Sequence, residues 1–342
     1  MRVLGAGSVS DDRWVNDLLL HIADLRGGYA FRSDFLDHGV NDREIRAAVH
    51  AGLLVRLRHG TYACSVSVGG LSPEDKHRLL ARSVLDRLGP DYVLSHHSAA
   101  LFTAAATFDV DLGVVHVTRL TKRNSRSESG VTFHVNSIAD DDVTEIDGVR
   151  MTRPVRAAYE SASISGTESG LVVVNSILNA GVCTAEEYAE FAARHDDWPG
   201  SRTARLVARL ADAGCESPGE SRSMFMFWRE GLPRPQTQLT VRAADGALIG
   251  RSDFGWLDHA HVGEFDGLFK YGRLNNRVEP GQILVDEKIR EDRIRATGLG
   301  MSRWTWADLS PRRRSTTAAR IMADLQRSQR THIPLAQRRH SA

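Results

Sequence analysis

Gln238, Asp253, Glu264 and Asp266 fall on three runs that alternate as strands do, Gln236–Arg242, Ala247–Trp256 and His261–Gly267. Asp245–Gly246 is a strong two-residue hairpin signal. A two-residue turn there sets Ala244 opposite Ala247, and so Gln238 opposite Asp253. A second one at Asp258–His259 sets Leu257 opposite Ala260, and so Asp253 opposite Glu264. The period-two rule adds Asp266 to the face of Glu264. Cross-strand neighbours have Cβ atoms ~4.5–5.5 Å apart. Carboxylates that close repel unless a proton or cation lies between them. Mg2+, a hard ion held by one or two carboxylates plus water, is what this donor set asks for.

A second constellation is cationic. Asp12–Arg26 carries Trp14, Val15, Leu18, Leu19, Ile22 and Leu25 at helical spacing. A short helix fits Ser33–His38, and Gly39–Val40 makes a tight turn. Asn41 then caps a further helix, with Glu44 completing a capping box and Gly52 ending it. Ile45, Ala48 and Val49 face inward, which leaves Arg43, Arg46, Ala47 and His50 outside. This is helix–turn–helix spacing, in which the second helix lies in a major groove of duplex DNA. Leu53–Arg58, His59–Gly60 and Thr61–Ala63 read as strand, turn and strand, with Arg56 and Arg58 placed for the phosphate backbone. The same pattern also fits a small helical domain with solvated charges, and Asp42 and Glu44 weaken its positive field.

The elements that must hold these residues are bounded by composition. The chain has 342 residues, and at roughly 100–200 residues per domain it predicts two or three domains. With 44 Lys and Arg against 43 Asp and Glu, net charge does not force a polyanionic partner. The cations are 40 Arg and only 4 Lys (Lys76, Lys122, Lys270, Lys288), and Arg binds phosphate bidentately. No apolar run reaches the ~18–20 residues of a membrane span, so no membrane partner is expected. Cys64, Cys183 and Cys215 are far apart and form no CxxC pair, which argues against a disulfide framework or cysteine zinc site and for a cytoplasmic location.

Four segments follow: 11–63, 72–210, 214–309 and a basic tail, 310–342. Within the second, Asp91–Ala106 reads as a strand and then an Ala-rich helix. His96 and His97, adjacent on that strand, point to opposite faces and do not chelate one metal together. Pro154 opens a helix, Leu171–Gly181 and Ala185–Ala193 follow as helices, and no catalytic spacing is present. Ser217-Pro218-Gly219-Glu220 opens a helix through Trp228, where Glu220 completes a capping box. In the tail, Thr316–Arg330 has helical periodicity through Ala319, Ile321 and Leu325; phosphate contact and a frayed, solvated end both fit it.

The stretch GGYAFRSDFLDHGVNDREIRAAVHAGLLVRLRHGTYA, Gly27–Ala63, resembles the winged N-terminal domain of AbiEi-type antitoxins. The likeness continues more weakly through VLSHHSAALF, VHVTR and MTRPVRAAYESA. It implies a DNA-binding autorepressor that also counters a nucleotidyltransferase toxin, with Arg43, Arg46, His50, Arg56 and Arg58 on double-stranded DNA. The order helix, three strands, helix, strand over Cys215–Trp306 resembles the PD-(D/E)XK fold, in its very-short-patch-repair endonuclease-like branch. That likeness implies Glu220, Asp253 and Glu264 as ligands of Mg2+, with metal-bound water as nucleophile and Gln238 orienting water or meeting a phosphate. The pattern departs at Asp266, where the family has Lys; Lys270 and Lys288 flank the site as substitutes. The fold class expected is α/β, more closely an α+β multidomain chain: a winged helix-turn-helix, a mixed α/β middle and an αβββαβ endonuclease-like domain. Three functions are open: an antitoxin-like transcriptional regulator, a Mg2+-dependent DNA endonuclease of defence or repair, and a toxin-neutralising interaction protein with an inactive nuclease fold.

Overall fold

The computed structural model describes residues 9–103, 105–121, 126–267 and 280–332. The chain mixes helices with three sheets and divides into two compact units. One is Met1–Phe102 with Asp111–Arg153, the other Thr103–Val110 with Pro154–Ala342. The segment 72–210 is therefore divided at Arg153. The strands before it pair with one another, whereas the helices after it pack together and onto the helix that opens the C-terminal sheet.

The first unit begins with α1 (Val9–Asp24), β1 (Ala30–Phe31), α2 (Arg32–Asp37), α3 (Asp42–His50), β2 (Leu54–Arg58) and β3 (Thr61–Cys64). The strands form a small antiparallel sheet of order β1-β3-β2. Leu19, Ile22, Phe35, Val40, Ile45, Ala48 and Leu54 make its core. α4 (Ser65–Gly69), α5 (Pro73–Leu88), β4 (Tyr92–Leu94), α6 (His96–Ala100), β5 (Val115–Arg119), β6 (Arg126–Glu128), β7 (Val131–His134), β8 (Val143–Ile146) and β9 (Val149–Thr152) follow. Their six strands run β6-β7-β5-β4-β9-β8, with β5–β7 and β4–β9 parallel.

The second unit holds α7 (Pro154–Ile164), α8 (Thr167–Asn179), α9 (Ala185–Arg194) and α10 (Ser201–Leu210). Leu171–Val174, Ile177 and Leu178 bury α8 on nearly every side, as suits a central helix. Next come α11 (Pro218–Arg229), β10 (Gln236–Arg242), β11 (Leu248–Trp256), β12 (His261–Asp266), α12 (Pro280–Ala296), β13 (Gly300–Thr305) and α13 (Arg314–His332). The sheet order is β10-β11-β12-β13, antiparallel except for the parallel β12–β13 pair that α12 connects. Phe227, Phe254, Trp256 and Trp304 form an aromatic core with Phe227 at its centre, 5.2–5.5 Å from the other three rings.

The β10–β11 hairpin does not use the two-residue turn that Asp245–Gly246 suggests. Ala243 N–H bonds to Ala247 O, and Gly246 takes the left-handed conformation, φ +85, which closes a three-residue loop. That loop pairs Arg242 with Leu248; by Val241↔Gly250 the register has shifted by one, with Ile249 as the additional residue of a bulge. The two departures cancel. Thr237↔Phe254 and Leu239↔Ser252 bracket the rung on which Gln238 meets Asp253. In the next hairpin Ala260 N–H bonds to Leu257 O, and Phe254↔Gly263 leads to the rung of Asp253 and Glu264.

Much of the basic segment 310–342 belongs to the second unit. In α13, Ala318, Ile321, Leu325 and Ser328 form one buried stripe. Asp324 accepts a hydrogen bond from Ser302, and Ser328 bonds His261. The run QRRH beyond it lies outside the described residues.

Candidate functional site

In the first unit, Asn41 Oδ1 accepts the N–H groups of Arg43 and Glu44 at 2.9 and 3.2 Å. Glu44 accepts the Asn41 N–H at 2.8 Å, which completes the capping box and fixes where α3 starts. Ile45 and Ala48 are buried, and the opposite side exposes Arg43, Arg46 and His50. Asp42 only partly offsets that side: Arg32 holds it through both oxygens at 2.6 and 2.7 Å, while its charge also acts on Arg46 from beyond ion-pair range. The Arg32 guanidinium keeps the Asp42 carboxyl below its usual range. On the hairpin, Arg56 is exposed and Arg58 half-buried, on either side of a register shift. Among the described residues, no carboxylate lies in ion-pair range of Arg43, Arg46, Arg56 or Arg58. Four cations on one helix and the adjoining hairpin thus remain available to an external anion.

In the second unit, Ser217 Oγ accepts the Glu220 N–H and donates to Glu220 Oε1 at 2.6 Å. Glu220 Oε2 accepts the Glu216 N–H and the Gln238 amide, each at 2.9 Å. Burial, with the charge of Asp253 nearby, raises the Glu220 carboxyl above its ordinary value. Gln238 reaches it from a left-handed backbone, φ +53, a conformation that costs a non-glycine residue of order 1–3 kcal/mol. Asp253 Oδ2 accepts the Phe265 N–H at 2.8 Å, one rung beyond the paired residues of β11 and β12.

Glu264 is held differently. Arg290 of α12 meets both of its oxygens, at 2.9 and 3.0 Å, and Arg303 of β13 meets Oε2 at 3.0 Å. Arg303 also approaches Glu291, itself paired to Arg295. Asp266 ends β12, half-buried, opposite Thr305. Lys288 is exposed on α12, and Lys270 lies outside the described residues.

The structure therefore joins Glu220 to Gln238, with Asp253 close enough to act on Glu220, and gives Glu264 to two arginines. Glu220, Asp253 and Glu264 do not bring ligand atoms within 4.8 Å of one another as a group. Nor does the donor set suit Mg2+: the Glu220 oxygens take N–H and O–H donors, and guanidinium groups face both oxygens of Glu264. Sequence reasoning missed these guanidiniums. Arg303 was identifiable only from the parallel β12–β13 register, which no turn signal encodes.

Residues 17–64 match the family model described as the transcriptional regulator, AbiEi antitoxin. This N-terminal part of the chain is antitoxin-like. The match runs from within α1 to the end of β3 and takes in α3 and β2, which carry the four unpaired arginines. No curated protein matches the chain. Among solved structures, the crystal structure of RV2827C protein from Mycobacterium tuberculosis is similar at 14% sequence identity and a TM-score of 0.38, over 68% of this chain and 89% of that one. Among the described residues, no helix is long and apolar enough to cross a membrane.

Proposed function

We infer that the chain is a DNA-binding transcriptional regulator of the AbiEi-antitoxin kind. Its N-terminal elements act as a winged helix-turn-helix, with α3 in the major groove and β2–β3 as the wing. The observation that carries this reading is the family match over 17–64, falling on a helix whose Arg43, Arg46 and His50 are exposed and outside ion-pair range of any described carboxylate. Arg43, Arg46 and His50 address base edges, while Arg56 and Arg58 address phosphates. A nucleotidyltransferase toxin is the protein partner this reading implies.

The test is titration of the full chain with duplex DNA from its own promoter region, followed by fluorescence anisotropy at several salt concentrations. Binding with a steep salt dependence is the expected result. Equal affinity of wild type and of Arg43→Ala with Arg46→Ala overturns the reading. Co-expression with a neighbouring nucleotidyltransferase tests the partner: co-purification supports it.

The order of α11, β10–β12, α12 and β13 favours an endonuclease-like scaffold for the C-terminal part. The arginines on Glu264 favour the inactive form of that scaffold. Plasmid, single-stranded and mismatched DNA incubated with Mg2+ or Mn2+ are expected to stay intact. Cleavage that disappears in Asp253→Ala or Glu264→Ala would instead make the chain a metal-dependent nuclease.

A further inference from the structure

Three histidines of the first unit converge. His96 opens α6, His116 lies on β5 and His134 ends β7. In the parallel β5–β7 register, His116 pairs with Thr132 and Thr118 with His134, so His116 and His134 are diagonal neighbours on one face. His116 Nδ1 and His134 Nε2 lie 2.9 Å apart. The His96 ring stacks on that of His134 at 3.7 Å between centroids and lies 5.5 Å from that of His116. One ring nitrogen from each histidine falls within 4.8 Å of the other two. Among the described residues, no other group of three His, Cys, Asp or Glu side chains does so.

We propose that His96, His116 and His134 form a binding site for a first-row transition-metal dication, Zn2+ first among them. Neutral imidazole is the form that ligates metal. Imidazole nitrogens select Zn2+, Co2+, Ni2+ or Cu2+ over Mg2+ or Ca2+. A tetrahedral ion with metal–nitrogen bonds of ~2.0–2.1 Å holds its ligand nitrogens roughly 3.3 Å apart. The three rings lie within 19–28° of parallel and His96 Nδ1 bonds Ser95 Oγ at 2.9 Å, so closing the site requires the rings to rotate until their in-plane lone pairs converge, with His96 giving up that bond or ligating through Nε2. Three protein ligands leave a fourth position for water or another donor. His96 adopts φ +53, a backbone state that few L residues take, and this directs the first residue of α6 into the cluster. A bound ion would add a tie between α6, β5 and β7 to the hydrogen bonds that already join α6 and its N-terminal cap to β5, from the His116 N–H to Ser98 Oγ and from the Ser95 N–H to the His116 carbonyl.

The experiment uses the full-length, untagged chain, stripped with EDTA and titrated separately with ZnCl2 and CoCl2. One equivalent of Zn2+ per chain is expected, together with the visible absorption of nitrogen-ligated Co2+. His116→Asn and His134→Asn should each weaken binding by more than the roughly 10–100-fold lost when an outer-shell partner is removed. Absence of Zn2+ uptake by the wild type overturns the proposal, as does unchanged uptake by either variant with an intact circular dichroism spectrum. Histidine 15N NMR of the wild type decides the matter if the variants do not fold. Ring signals of His96, His116 and His134 shifting together on Zn2+ addition support the site; shifts confined to other histidines overturn it.

Discussion

Glu264 and Arg303 share one rung of the parallel β12–β13 pair, and their charged ends meet at 3.0 Å. Arg290 approaches the same carboxylate from α12. One acid therefore offsets two guanidinium groups at the centre of the sheet, where the resemblance to nucleases implies a metal ligand. Removing that acid leaves Arg290 without this carboxylate and Arg303 with Glu291, at 3.5 Å. Glu264→Gln should destabilise the second unit by roughly 1–3 kcal/mol, less than the 3–5 typical of breaking a fully buried pair. The reduction reflects the exposure that remains on Arg290 and Arg303, 31% and 30% of their side chains. Urea unfolding measures it. Millimolar Mg2+ should leave the wild-type midpoint unmoved; a rise that Glu264→Gln abolishes would return the carboxylate to a metal.

The four unpaired arginines near the N-terminus divide into two expected phenotypes. Arg56→Ala with Arg58→Ala should weaken binding to all duplex sequences alike and lower the salt slope by about 1 per lost phosphate contact. Arg43→Ala with Arg46→Ala should also flatten the difference between promoter and unrelated DNA, each base contact being worth about 1–3 kcal/mol of discrimination. Anisotropy titrations with both DNAs at three salt concentrations separate the two. Identical losses on promoter and unrelated DNA for the α3 pair would place α3 outside the groove.

Local signals were legible. The Asn41–Glu44 box, the inward Ile45 and Ala48 and the Ser217 cap were readable because each depends on residues within one or two turns. The C-terminal register was reached through an incorrect turn, since the Ile249 bulge compensates for the longer loop. What was illegible is non-local. His96 and His97 read as adjacent strand residues, but β4 ends at Leu94 and His96 begins a helix, so strand alternation does not apply to them. The companions of His96 come from strands 18 residues apart whose parallel pairing has no sequence signature. Arg290 and Arg303 reach Glu264 from a helix and a strand far along the chain, by the same kind of long-range register.

His261 ties β12 to α13 and β13, with Nδ1 bonded to Ser328 Oγ at 2.8 Å and Nε2 to Ser302 Oγ at 2.9 Å. Burial pushes its pKa down to about 4; Asp324 opposes this, while Arg295, His259 and His332 add to it. The unfolded chain takes up this proton near pH 6.5 and the folded chain only near 4. The stabilising contribution is therefore complete above pH 6.5 and lost as the pH falls toward 4. A single histidine of this kind costs about 2 kcal/mol at pH 5 relative to pH 7.5. Urea midpoints of wild type and His261→Gln at both pH values test it. The variant should lose less stability on acidification, and parallel pH slopes would remove His261 as the cause.

The cysteines should differ in reactivity. Burial alone would raise the Cys64 thiol, but hydrogen bonds from Ser67 and the Val66 backbone outweigh it and lower its pKa. Cys183 is buried and pushed up to about 11, and burial beside Asp212 and Glu220 raises Cys215 as well. Thiolate is the reactive form. Iodoacetamide on the native protein should alkylate Cys64 first, and peptide mass mapping reads which thiol is modified. Labelling of Cys215 at a comparable rate would show that the N-terminus of α11 opens.

Gly219 separates helix propensity from packing. It lies in the first turn of α11, where Ala is intrinsically better than Gly by up to ~1 kcal/mol. A Cβ there would overlap the ring of Phe265, which fills the space left by the absent side chain. The ring is buried in the sheet and edge-on to Trp306, with centroids 4.9 Å apart, so it has little room to retreat. Overpacking of this sort costs about 1–3 kcal/mol. Gly219→Ala should therefore lower stability despite its better propensity. Phe265→Leu in the same chain should recover part of the loss, a coupling that a double-mutant cycle measures directly. Additive effects in that cycle, or a more stable Gly219→Ala, would mean that α11 does not dock on β12 through this contact.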